Sequence, residues 1–189
     1  MTQDYKVAVL VGSLRKASIT RRLAEAAVRL SKGGFAYEFV DIGALPLYNQ
    51  DLDEGAVPDA WTTFRNKVRG FDAVLFFTPE YNRSVPAALK NALDVGSRPY
   101  GSSVWTGKPT AIVSVSPGAM GAFGANHHLR QSLVFLDMPA MPQPEAYIGN
   151  AANLVADDFT ITVEGSRNFI ASIIHGFEAW VKTHVPVDI

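Results

Sequence analysis

The sequence predicts an α/β domain built on a doubly wound, mostly parallel sheet. Three observations carry that expectation. Short apolar runs, typified by YKVAVLV at Tyr5 to Val11 and AVLFFT at Ala73 to Thr78, read as strands buried on both faces. These runs alternate along the chain with segments whose apolar residues recur at helical spacing. The 189 residues, 48% hydrophobic and 19% charged, have the ordinary make-up of one globular domain spanning residues 1–189, with no internal repeat, low-complexity tract or linker.

The elements follow in order. Tyr5 to Val11 ends at Gly12. Ile19, Leu23, Ala26, Ala27 and Leu30 form one helical face, which stops at Gly33-Gly34. Phe35 to Val40 is a second strand. Ile42 to Pro58 carries two prolines and two glycines and is too irregular for one element. Asp59 to Arg69 is a helix, and Ala73 to Thr78 a third strand ended by Pro79. Pro86 opens a helix whose Leu89, Ala92, Leu93 and Gly96 share a face, proline being suited to a first helical turn. Pro109 to Val115 is a fourth strand. Leu129, Leu133 and Leu136 mark another helix, Ala146 to Ile148 a short fifth strand, and Ile170, Ile173, Ile174, Phe177 and Trp180 the last helix.

Composition removes several functions. With no cysteine, disulfide frameworks, thiolate zinc sites and cysteine nucleophiles are excluded. A net charge of −1 gives no global basic field for nucleic acid or an anionic membrane. No stretch reaches the ~18 apolar residues of a membrane span. Met1 to Lys6 lacks the basic, apolar and small-residue order of a signal peptide, so a cytoplasmic protein is expected. No metal site is expected either. His127 and His128 are adjacent and diverge on a helix, while His175 and His184 stand without acidic neighbours.

In open parallel sheets, ligands bind beyond the carboxyl ends of the strands, where the strand order reverses. In the flavodoxin-like order 2-1-3-4-5, strands one, three and four are neighbours, so the loops after them share one crevice. The first loop, Gly12 to Thr20, opens a helix whose amides and dipole attract an anion. Ser13, Ser18 and Thr20 add hydroxyls, and Arg15 a fork suited to phosphate. Ser18 also reads as a plain N-cap, and the basic residues as a solvated face. The second loop, Pro79 to Pro86, offers the flat ring of Tyr81 and the amide of Asn82, or else is a surface turn with a helix cap at Ser84. The third, Ser116 to Gly124, holds three glycines that permit close backbone approach, or simple flexibility. One loop suits a phosphate and two suit a flat polar ring, which together describe FMN. Neither a dinucleotide fingerprint nor a P-loop is present; Gly101 to Pro109 reads as a turn.

These segments carry a resemblance. GSLRKASITRRLA and PEYNRSVPAALKNALDVGSRP resemble the NADPH-dependent FMN reductase family, in its bacterial quinone and chromate reductase branch, over roughly Lys6 to Ile148. Pro46-Leu47-Tyr48 and His128 to Asp137 add to the likeness. The resemblance implies a flavodoxin-like, five-stranded parallel sheet with helices on both faces. It implies FMN as cofactor, with NADPH or NADH as co-substrate. Ser13, Arg15, Ser18, Ile19 and Thr20 would hold the phosphate. Pro79, Glu80, Tyr81 and Asn82 would line the isoalloxazine ring, with Ser116 and Gly118 on its other edge. Thr20 replaces the family's usual asparagine. Gly121-Ala122 replaces a glycine pair that is frequent in the family, and the added methyl would narrow the approach to the flavin.

The implied reaction is ping-pong hydride transfer from NAD(P)H through FMN to quinones, flavins, chromate or ferric chelates, with no protein nucleophile or general base. Arg83 serves equally well in steering nicotinamide phosphates or as a surface or subunit contact. The family also implies a homodimer or homotetramer. Trp61, Phe64, Trp105 and Phe135 are candidates for its apolar interface or for the core, and Glu145 and Arg130 for pairing across it. A flavodoxin-like electron carrier is the rival reading, but such carriers are usually strongly acidic. A signalling receiver would need acids at the end of the first strand, where Gly12-Ser13 stand.

Overall fold

Five strands pair in parallel in the order β2-β1-β3-β4-β5: β1 Tyr5–Val11, β2 Phe35–Phe39, β3 Ala73–Thr78, β4 Thr110–Val115 and β5 Ala146–Ile148. The computed structural model describes residues 4–185, so Met1 to Gln3, part of the expectation about the N-terminus, lie outside the described residues. Helices α1 Ile19–Val28, α2 Gln50–Asp53, α3 Asp59–Arg69, α4 Ala87–Gly96, α5 Phe123–Phe135 and α6 Glu164–His184 complete the chain, with a 3-10 turn at Ala151–Asn153. The order and direction are those expected of the flavodoxin-like fold.

Alternation along the strands builds two cores. Val7, Val9 and Val11 join Leu75 and Phe77 beneath α1 and α6, where Leu23, Ile173 and Phe177 pack. Ala8 and Leu10 join Val74 and Phe76 beneath α3, α4 and α5, with Trp61, Leu93, Trp105 and Leu129. Both faces of β1 and β3 are thus covered, which is why those runs are continuously apolar. Of the four interface candidates, Trp61, Phe64 and Trp105 are core residues, and only Phe135 is exposed. The buried indoles keep their N–H groups bonded, Trp61 to the Pro46 carbonyl at 3.0 Å and Trp105 to that of Leu93 at 2.9 Å.

The irregular span from Ile42 to Pro58 hides one short helix, α2. Asn49 caps it through a bond from the Asp51 amide at 3.1 Å. Its Asp53 meets Arg65 of α3 in a bidentate ion pair at 2.8 and 2.9 Å, and both side chains are only 6% exposed. Arg65 also donates to the Val95 carbonyl of α4 at 2.8 Å, so one guanidinium ties α2, α3 and α4 together.

The chain leaves β1 towards β2 on one side and returns to β3 on the other. The order therefore reverses between β1 and β3. At their carboxyl ends stand Gly12 and Pro79. A Cβ on Gly12 would lie 3.2 Å from Pro79 Cδ and 3.3 Å from Pro86 Cγ. Glycine at this point lets the first and second loops lie against each other.

Candidate functional site

The first loop presents donors without acceptors. Among the described residues, none of the backbone N–H groups from Ser13 to Thr20 donates to protein; the Gly12 amide, bonded to the Phe77 carbonyl at 2.8 Å, is the last one satisfied. Ser18 caps α1 by accepting from the Arg21 amide at 3.0 Å. Its N-cap reading therefore holds, and its own hydroxyl proton stays available. Thr20 is 3% exposed, and its hydroxyl makes no hydrogen bond to protein. The first turn of α1 contains no acid. Arg15 is exposed and has no carboxylate partner among the described residues. A groove of about 460 Å³ adjoins this loop beyond β1 and β2, lined by Ser13, Leu14, Arg15, Arg21 and Asp41. A helix start with unsatisfied amides, no acid and a nearby cation is suited to an anion by its own chemistry.

The second loop is a tight reversal. Tyr81 and Ser84 exchange backbone hydrogen bonds at 3.1 and 3.0 Å, and Asn82 and Arg83 between them both have positive φ, 51° and 65°. This is the signature of a type I′ turn, which favours asparagine and glycine. Arginine in the left-handed region costs about 1–2 kcal/mol. The turn leaves Tyr81 45% exposed and Asn82 open to solvent. The alternative cap at Ser84 is not realised: Pro86 is the N-cap residue of α4, and the Ser84 hydroxyl lies 3.0 Å from His128 Nδ1.

Glu80 has a role that sequence reasoning missed. Its Oε2 accepts from the Ala125 amide at 3.0 Å, and its Oε1 lies 3.3 Å from Arg83. Helix α5 starts after Ala122, which gives no side-chain cap, so a carboxylate from the neighbouring loop caps it instead. Gly124 leaves the room: a Cβ there would lie 2.9 Å from Glu80 Oε2. The carboxylate thus ties the second loop to the third. Acids capping a helix in a distant segment leave no local spacing to read.

The third loop is closed by its own bonds. Ser114 Oγ donates to the Gly121 carbonyl at 2.7 Å, and Ser116 Oγ to that of Gly118 at 2.8 Å. Gly121 sits at φ 59° with the Tyr147 backbone 2.6 Å from where its Cβ would stand. Gly118, by contrast, faces open space. The Ala122 methyl does not narrow the crevice, because that residue is buried.

Arg130 donates within its own chain, to Asn126 Oδ1 at 3.0 Å and the Met141 carbonyl at 3.1 Å. Tyr147 is pushed up to about 12 by burial and by the neighbouring Glu145 carboxylate, so it remains a neutral phenol, 3.0 Å from His127 Nε2. Among the described residues no cluster of histidines and acids could hold a metal ion. No helix there is long and apolar enough to cross a membrane. A groove of about 530 Å³ runs between α4 and α5 and reaches Ser84 and Val85 of the second loop.

Comparison with known proteins agrees with this geometry. Residues 5–153 match the family described as NADPH-dependent FMN reductase. The chain is 58% identical over 182 residues to a quinone reductase of Pseudomonas putida, covering 96% of this chain and 97% of the relative. It is 44% identical over 177 residues to a 2-hydroxy-1,4-benzoquinone reductase of Burkholderia sp, covering 94% and 96%. Among solved structures, the flavoenzyme FerB, an NAD(P)H:(acceptor) oxidoreductase of Paracoccus denitrificans, superposes with a TM-score of 0.90 at 39% identity, covering 95% of this chain and 98% of that one.

Proposed function

The chain belongs to the NADPH-dependent FMN reductase family, and on that premise we propose that it is an FMN-dependent NAD(P)H oxidoreductase that reduces quinones. The observation that carries this reading is the row of unsatisfied amides from Ser13 to Thr20 at the reversal of strand order. These residues fit the phosphate of FMN. Ser13, Ser18, Ile19 and Thr20 supply amides and hydroxyls, the α1 dipole adds its field, and Arg15 neutralises the dianion. Pro79, Tyr81 and Asn82 would line the isoalloxazine ring and Ser116 and Gly118 its other edge, with Glu80 holding the two loops in register.

When bound, FMN supplies the hydride relay between NAD(P)H and acceptor. The chain's own groups bind, orient and exclude water; we assign no nucleophile or general base among them. Reductant and acceptor use the crevice in turn, a ping-pong cycle. The open rim admits quinones and also flavins, chromate and ferric chelates. The enzyme works in the cytoplasm, where NAD(P)H is supplied. Val134 and Phe135 of α5, 80% and 85% exposed beside the α4/α5 groove, form the contact face of a homodimer, which can pair again as a tetramer. Light scattering that gives the mass of one chain contradicts that assembly.

Mixing the FMN-loaded protein with NADPH or NADH in a stopped-flow instrument should bleach the flavin band, and added quinone should restore it. Persistent absorbance contradicts the reading. Arg15→Ala should weaken FMN binding by about 1.5–3 kcal/mol, the contribution of a charged hydrogen bond, measured by fluorescence titration. Unchanged affinity removes Arg15 from the phosphate site.

A further inference from the structure

We propose that Arg83 grips the phosphates of the reducing dinucleotide at the rim of the crevice. The inference rests on the reductase reading above and names a residue for its first half-reaction. Arg83 occupies the second central position of the Tyr81–Ser84 turn, at φ 65°, where glycine fits without strain. The chain holds a long cationic side chain at a site where its backbone resists one. Strain retained at an exposed turn points to a use for the side chain.

The use is set by where the guanidinium stands. It is 77% exposed, and among the described residues its one ion pair is a long one, 3.3 Å to Glu80. That carboxylate is itself anchored by the Ala125 amide, so it fixes Arg83 at the rim through one guanidinium nitrogen and leaves the rest of the fork open to a ligand. The Arg83 carbonyl lies 3.0 Å from where a Cβ on Gly124 would stand, which puts the turn against the third loop. The Arg83 turn therefore stands at the junction of the two loops assigned to the ring. Arg15 and the Ser13–Thr20 amides serve the FMN phosphate. A second cation next to the ring loops matches a second phosphate-bearing molecule, one that must lie against the same ring to deliver hydride. The planar fork suits phosphate oxygens better than a neutral quinone.

The test uses two probes that carry the dinucleotide's phosphates but no nicotinamide: ADP-ribose and 2′-phospho-ADP-ribose. Each is titrated calorimetrically into FMN-loaded wild type, Arg83→Gln and Arg83→Gly. Both variants should bind at least one probe about three- to tenfold more weakly, with a flatter dependence on salt. Loss for both probes places Arg83 on the pyrophosphate; loss for 2′-phospho-ADP-ribose alone places it on the 2′-phosphate. FMN affinity and the quinone KM should not change. Arg83→Gly relieves the turn, so its thermal midpoint should equal or exceed that of wild type, separating lost binding from lost folding. Equal binding by wild type and both variants overturns the inference, as does a change in particle mass, which would make Arg83 a subunit contact. A wild-type protein that NAD(P)H does not bleach defeats the reductase reading itself, a result distinguishable from either.

Discussion

Asp53→Ala is expected to lower the free energy of unfolding by about 3–5 kcal/mol, because it strands the Arg65 guanidinium without its counter-ion. Both side chains are 6% exposed and meet through two bonds of 2.8 and 2.9 Å, so water cannot readily replace the carboxylate. The damage should spread. Arg65 bridges to Val95 of α4, and Asn91 of α4 holds the Pro46 and Tyr48 backbone at 3.0 and 2.8 Å. Denaturant unfolding measures the loss. A shift below about 1 kcal/mol would class the pair with exposed ion pairs and contradict its structural role. At temperatures where the variant stays folded, FMN affinity should be retained, since none of these groups borders the crevice.

Gly121→Ala should destabilise the fold by about 2–5 kcal/mol, combining a left-handed backbone that disfavours a side chain with overpacking. The new methyl would stand 2.6 Å from the Tyr147 carbonyl carbon, which is part of β5 and cannot step aside. Any escape moves the third loop and breaks the 2.7 Å bond from Ser114 to the Gly121 carbonyl, so FMN affinity should fall as well. Gly118→Ala is the matched control. Nothing lies within 4 Å of its added carbon, so stability should stay within about 0.5 kcal/mol while FMN binding weakens. Equal stability of the two variants would contradict the assignment of Gly121 to the frame and Gly118 to the crevice.

The fold was legible because its signal is local. Strands such as Ala73–Thr78 are buried on both faces and therefore apolar throughout, and Leu89, Ala92 and Leu93 repeat at helical spacing. The three loops could be picked out because they break that pattern with glycine, proline and hydroxyl residues. What escaped depends on partners distant in sequence. Asp53 gives no hint of Arg65, nor Glu80 of the Ala125 amide 45 positions on. The indoles of Trp61 and Trp105 look alike on a surface or in a core until α3 and α4 are placed against the sheet. Left-handed φ at Arg83 and Ala122 also goes against residue preference, so no propensity could announce it.

The central claim is that the loop after β1 grips a phosphate dianion, and comparing FMN with riboflavin tests it most directly. The two differ only in that phosphate. If the Ser13–Thr20 amides and Arg15 hold it, the apoprotein should bind FMN at least about 100-fold more tightly, some 2.7 kcal/mol, than riboflavin. Equal affinities would show that the ring alone is recognised and would contradict the account.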